Sequence, residues 1–175
     1  LKKRSKMFEI GKYKNDVLII AEVGQNHQGD PKIAMDYVEK FAKLGADVIK
    51  FQTRNNKYLF DTESYDAIYN SENAFATTYG AHREFLELDK TDVKAIRARC
   101  RELGVLFMST PFDNESALLL NKIQRFFKIA SADITNFPLI EKISKFKKPI
   151  IFSTGASNTT EINNVYKLLV NKKIQ

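Results

Sequence analysis

Asp47-Val48-Ile49-Lys50-Phe51-Gln52-Thr53 is a short apolar run with a lysine set inside it. Phe126-Phe127-Lys128-Ile129-Ala130-Ser131 repeats the pattern further along the chain. A parallel β-strand covered on both faces reads as an almost unbroken apolar run. An ammonium group in such a strand is costly unless an opposite charge meets it. Neither run carries a carboxylate beside its lysine. The expected partner is therefore an external anion, a phosphate or a carboxylate.

Outward from these two runs the chain alternates strand and helix. Strands are expected at Val17 to Glu22, Asp47 to Thr53, Val105 to Thr110, Phe126 to Ala130 and Pro149 to Thr154. A helix from Pro31 to Leu44 would bury Ile33, Ala34, Tyr37, Val38, Phe41 and Ala42, with Asp30 as N-cap and Gly45 as terminator. A second, from Lys90 to Leu103, would turn Val93, Ile96, Cys100 and Leu103 inward. Further helices start after Asp113, near Phe137-Pro138 and near Thr160. Residues 54–88 form a long insertion rich in Tyr and Phe, which would shape a pocket or pack the loop.

Such alternation means a parallel sheet, either an open doubly wound one or a closed (β/α)8 barrel of TIM type. In an open sheet functional residues gather at one switch point, whereas in a barrel every strand end contributes. Each of these strands ends in polar residues: Glu22; Lys50 and Gln52; Ser109 and Thr110; Ser131; Ser153 and Thr154. That favours the barrel. A barrel needs about 250 residues, so the 175 present hold about five βα units of it.

Side chains two apart on a strand share a face. The inward register gathers Glu22, Lys50, Gln52, Thr110, Lys128 and Ser153 at the C-terminal mouth. Two ammonium groups with hydroxyl and amide donors suit a small, highly charged anion. Glu22 among these cations is a candidate general base or water-orienting carboxylate, or else a counter-ion to the lysines. Lys128 has a second reading, as a Schiff-base nucleophile whose pKa a neighbouring cation would depress. The loop Gly24 to Asp30 holds two glycines before a helix, a weak anion-binding signal.

Bulk properties bound the alternatives. A net charge of +7 suits anionic ligands, but much of it lies in terminal Lys/Arg clusters and on a helix face (Lys94, Arg97, Arg99 and Arg101). There is no zinc spacing, recognition-helix motif or aromatic-basic RNA signature, so no nucleic-acid partner is expected. No run is long enough to span a membrane, and the basic start lacks the apolar stretch of a signal peptide. The single cysteine, Cys100, rules out an internal disulfide. It reads as a buried, inert thiol. Met7 offers a native start.

Five segments resemble one family. They are Ala21-Glu22-Val23-Gly24-Gln25-Asn26-His27-Gln28-Gly29-Asp30, Gly45 to Thr53, Phe107-Met108-Ser109-Thr110-Pro111-Phe112-Asp113, Lys128 to Leu139 and Lys148 to Gly155. In this collinear order they resemble the sialic acid synthase (N-acetylneuraminate synthase) family over about residues 17–170. The resemblance implies a (β/α)8 barrel followed by a small antifreeze-like domain, in a cytoplasmic homodimer. It implies condensation of phosphoenolpyruvate with an N-acetylated aldose such as N-acetylmannosamine, assisted by a divalent metal, Mn or Mg. The products would be a nine-carbon 2-keto acid and phosphate. Lys50, Thr110, Lys128, Ser131 and Ser153 would hold phosphoenolpyruvate, with Gln52 nearby. Glu22 would handle the water that attacks C2, and Asp133 would assist the sugar. The family's metal-binding histidines fall beyond Gln175, so His27 and His82 are not expected to be those ligands. Residues 1–16 then form a basic N-terminal segment and 17–175 the first part of the barrel, expected to be inactive alone. Two rivals stay open: a Schiff-base aldolase using Lys128, and a non-catalytic truncated barrel serving as a binding module.

Overall fold

The computed structural model describes residues 17–174. The basic segment 1–16 lies outside the described residues. Parallel strands and helices alternate: β1 (Ile20–Gly24), α1 (Pro31–Lys43), β2 (Val48–Thr53), then three short helices α2 (Asn56–Leu59), α3 (Thr62–Asp66) and α4 (Tyr79–Phe85). There follow α5 (Lys90–Glu102), β3 (Leu106–Pro111), α6 (Asn114–Asn121), β4 (Phe127–Ile129), a 3₁₀ turn at Ser131–Asp133, α7 (Phe137–Ser144), β5 (Ile150–Phe152) and α8 (Thr159–Asn171). The fold is α/β, a partial barrel.

Strands β1, β2 and β3 form one parallel sheet in that order, and β4 pairs with β5. Buried Gln124 links the two sheets, its side-chain oxygen accepting from the Ser109 N–H at 2.8 Å. Two apolar clusters lie on opposite faces of the strands. The larger, between strands and helices, includes Ile49, Phe51, Phe107, Phe127, Ile129 and Ile150. The smaller joins Val48, Met108 and Phe126, with Leu18, Ile20, Leu106 and Ile151 packed on it. This is the period-two segregation expected from the sequence, with the lysine-bearing face on the side of the smaller cluster.

The helices start where side chains satisfy their first N–H groups. Asp30 caps α1, accepting from Lys32 N at 2.7 Å, with Pro31 at the first position. Asp89 and Asp92 form a reciprocal capping box at α5, as Asn158 and Glu161 do at α8. Asp113 caps α6 through Ser116 N at 2.8 Å, and its other oxygen accepts from Asn55 N at 2.7 Å. One carboxylate thus ties the segment after β2 to the segment after β3.

Three expectations are corrected. The first strand begins at Ile20, and Val17 and Ile19 are exposed. Ile33 and Leu103 are exposed as well. Ile33 sits in the first turn of α1 beside buried Ala34, and Leu103 is the C-cap residue of α5. The insertion is also not a plain loop. Its three short helices are held by an aromatic cluster in which Phe60 and Tyr69 meet Tyr79 edge-on, while Phe75 stacks on Phe85.

Candidate active site

The register of the sheet builds the first half of the site. Glu22 pairs with Lys50 across β1–β2, and Gln52 pairs with Thr110 across β2–β3. All four therefore share the inner face near the strands' C-terminal ends. The Lys50 ammonium forms an ion pair with Glu22, and Gln52 Nε2 donates to Glu22 Oε1 at 3.4 Å. Lys50 is thus met by a carboxylate of the adjacent strand, the counter-ion contact that the sequence offered as one of two roles for Glu22. No scan of a single strand reveals this pair, because its partners are 28 residues apart and only the pairing register aligns them.

Lys128 differs. Among the described residues its ammonium makes no ion pair; it donates to the Ile129 carbonyl at 2.5 Å and to Ser153 Oγ at 2.6 Å. Burial first, then the charge of Lys50, push this amine down to about 8, with Glu22 pulling the other way. The cation expected to depress Lys128 is therefore Lys50, and the two sheets meet electrostatically at one site. Ser131 lies beside the β5–α8 loop, where a Cβ on Gly155 would stand 3.6 Å from its hydroxyl.

Gly24 completes the floor with φ +59°. A Cβ there would sit 3.2 Å from Glu22 Oε1 and 3.5 Å from Gln52 Nε2. A side chain there would crowd the Glu22 carboxylate, at a backbone conformation that favours glycine.

Asp133 stands in the turn after β4. Asn136 Nδ2 donates to its Oδ1 at 3.1 Å, while Oδ2 is buried without a partner among the described residues. Burial raises its pKa, opposed by Asn136 and by the charge of Arg54. A cleft of about 380 Å³ opens nearby, lined by Tyr58, Leu59, Phe112, Asn136, Pro138 and Leu139 among others. Of the insertion's aromatics, Tyr58 thus faces a cleft, whereas Tyr69 and Phe75 pack against His82.

Three residues at the site escaped the sequence reading. Arg54 donates through Nη2 to Gln52 Oε1 at 2.5 Å and lies 3.8 Å over the Phe112 ring. Glu87 accepts from the Arg54 backbone N–H at 3.0 Å, and Gln25 Nε2 donates to Glu87 at 2.8 Å. For Arg54 a signal existed, its two-residue spacing from Gln52 on the Lys50 face. For Glu87, 33 residues further on, none did.

Both histidines accept hydrogen bonds from backbone N–H groups. His27 is buried, with Nδ1 accepting from Gly29 N at 3.1 Å and burial lowering its pKa. His82 is buried too, within α4, and its Nδ1 accepts from Phe75 N at 3.2 Å. Among the described residues no group of three or more His, Cys, Asp or Glu side chains could hold a metal ion. Cys100 is buried in α5 with its thiol pushed up to about 12, as expected of an inert core cysteine.

With this geometry fixed, similarity to known proteins becomes informative. The NeuB family matches residues 37–175. The chain belongs to the NeuB family. It is 32% identical over 157 residues to the N-acetylneuraminate-9-phosphate synthase of Mus musculus, covering 89% of this chain and 44% of that protein. It is 39% identical over 158 residues to the N,N'-diacetyllegionaminic acid synthase of Campylobacter jejuni, covering 87% and 46%. The chain therefore spans less than half the length of either relative. Among solved structures, the N-acetylneuraminic acid (sialic acid) synthetase of Leptospira borgpetersenii, crystallised with citrate, superposes with a TM-score of 0.78 at 31% identity, over 91% of this chain and 52% of that one. A truncated 3-deoxy-D-arabino-heptulosonate 7-phosphate synthase of Thermotoga maritima, at 13% identity and a TM-score of 0.61 over 90% of this chain and 48% of that one, shares the fold. No helix among the described residues is long and apolar enough to cross a membrane.

Proposed function

We propose that this NeuB-family chain is the phosphoenolpyruvate-binding part of a nonulosonate synthase. The complete protein, a cytoplasmic homodimer with the barrel closed by further strands, condenses phosphoenolpyruvate with an N-acetylated aldose, N-acetylmannosamine or a related hexose. It releases a sialic-acid-type nine-carbon acid and phosphate. The observation that carries this reading is Lys128: a half-buried ammonium with no carboxylate partner among the described residues, beside Lys50 and Ser153 at the mouth. A small dianion placed there pairs with Lys128 and competes with Glu22 for Lys50.

Phosphoenolpyruvate sits among Lys50, Lys128, Ser153, Ser131 and Thr110, held by charge-assisted bonds. Its enol carbon attacks the aldehyde carbon of the open-chain sugar. Glu22, released from Lys50 by the incoming anion, is then a free carboxylate that orients and deprotonates the water adding to C2. The C2 hydroxyl loses its proton as the keto group forms, phosphate leaves with the electrons of the C2–O bond, and the alkoxide left at the former aldehyde oxygen takes up a proton. Asp133, whose buried Oδ2 has no partner among the described residues, assists the acceptor sugar. A divalent metal such as Mn or Mg would act as a Lewis acid on the aldehyde, but the residues described here do not assemble its site, and no step above passes through it.

The depressed pKa of Lys128 also favours a second reading, a Schiff-base aldolase, since an amine near 8 is partly neutral at physiological pH. The test is incubation of the complete protein with phosphoenolpyruvate and N-acetylated aldoses, followed by phosphate release and product mass. Phosphate and a nine-carbon acid are expected. Borohydride trapping of a keto acid on Lys128, without phosphate release, would replace this reading by the aldolase.

A further inference from the structure

We infer that Arg54 is a positioning residue that fixes the orientation of the Gln52 amide, and through it the Glu22 carboxylate. The inference rests on the synthase reading of the site.

The chemistry of the contacts carries the argument. A guanidinium offers only donors, so it can face only the oxygen end of an amide. A carboxylate offers only acceptors, so it can face only the nitrogen end. Gln52 lies between one of each: Arg54 Nη2 donates to its Oε1 at 2.5 Å, and its Nε2 donates to Glu22 Oε1 at 3.4 Å. Both ends demand the same orientation, and reversing the amide would oppose two donors at one end and two acceptors at the other.

Arg54 is itself held on three sides. Glu87 Oε2 takes its backbone N–H at 3.0 Å and Oε1 faces Nη1 at 3.5 Å. The Phe112 ring lies flat against it at 3.8 Å. The Arg54 and Glu87 side chains are each only 11% exposed. Gln25, on the loop after β1, donates to the same Glu87 oxygen at 2.8 Å. An unbroken chain thus runs Gln25–Glu87–Arg54–Gln52–Glu22, from the end of the insertion to the proposed base. Its guanidinium donates to Gln52 and faces Glu87, so Arg54 acts on the site through Gln52. Its planar fork suits that task better than a lysine's point charge.

The test is a double-mutant cycle in the complete protein. Arg54→Met is expected to lower kcat by about 10- to 100-fold, the scale of misplacing a reacting group, with phosphoenolpyruvate affinity nearly unchanged. In a Gln52→Met background the same substitution should have almost no further effect, because its target is gone. Equal losses in both backgrounds, or loss of affinity matching the loss of kcat, would overturn the inference. If Arg54→Met fails to fold, Arg54→Lys takes its place in the same cycle, with a smaller expected loss in kcat. If the parent protein releases no phosphate from phosphoenolpyruvate with any N-acetylated aldose, the synthase reading fails separately. Orientation is then read from the Gln52 side-chain amide by NMR of glutamine-labelled protein: its two proton resonances should shift with Arg54→Met, and their staying in place would overturn the inference without reference to catalysis.

Discussion

At the scale of single residues, the two lysines divide the work. Lys50 is paired with Glu22, whereas the Lys128 ammonium, among the described residues, donates to neutral acceptors. This predicts how a Glu22 variant behaves. Glu22→Gln removes a negative charge that competes for Lys50, so it should bind phosphoenolpyruvate at least as tightly as the parent while losing turnover. Near-normal turnover would return Glu22 to the role of plain counter-ion. Lys128 also sets a pH dependence. Its amine lies at about 8 in the folded protein, below the ordinary 10.5. The unfolded chain therefore binds the extra proton between those values, and this group makes stability rise with pH across that window. A bound anion should raise the amine's pKa again. Titrating phosphoenolpyruvate near pH 8.5 in buffers of different ionisation enthalpy should thus reveal proton uptake, and affinity should fall as pH climbs past 8. Proton release, or affinity indifferent to pH between 8 and 10, would contradict the assignment.

At the scale of elements, what the sequence disclosed is what local chemistry determines. The alternation Val48/Lys50/Gln52 against Ile49/Phe51 places side chains on faces, and Asp30, Asp113 and Gly45 punctuate helices, so these were legible. The Glu22–Lys50 pair was legible only as one of two roles for Glu22, and the Arg54–Glu87 contact not at all, because strand register and loop return align these partners across long separations. Helices α2 to α4 were hidden for another reason. They run only 4, 5 and 7 residues, too short for a hydrophobic period to emerge, and are held by aromatic packing. The loop after β1 tests how tightly these pieces fit. Gly29 has φ +77°, and a Cβ there would fall 2.0 Å from the Phe85 carbonyl oxygen at the end of α4. Gly45, at φ +90°, has no atom within 4 Å of such a Cβ. Gly45→Ala should therefore cost only backbone strain, about 1 kcal/mol. Gly29→Ala should cost clearly more and lower Tm by several degrees further in a thermal melt. Equal melting shifts would show that the close approach of α4 to this loop is not maintained in solution.

At the scale of the whole molecule, the chain shows two edges with no strand beside them among the described residues, the outer sides of β1 and β5. The inner cluster around Val48, Met108 and Phe126 is only three buried residues deep. Unpaired edges are templates for association. Residues 1–175 expressed alone should therefore self-associate and make no nonulosonate, and a monodisperse, active monomer by light scattering would refute this. The central claim is narrower: the inner face at the strand ends binds phosphoenolpyruvate through Lys50 and Lys128. Calorimetric titration of phosphoenolpyruvate into the complete protein and its Lys128→Ala variant tests it most directly. The account predicts a loss of ~3 kcal/mol, roughly 100-fold in Kd, the scale of a charge-assisted contact removed from a half-buried site. Unchanged affinity in the folded variant would contradict it.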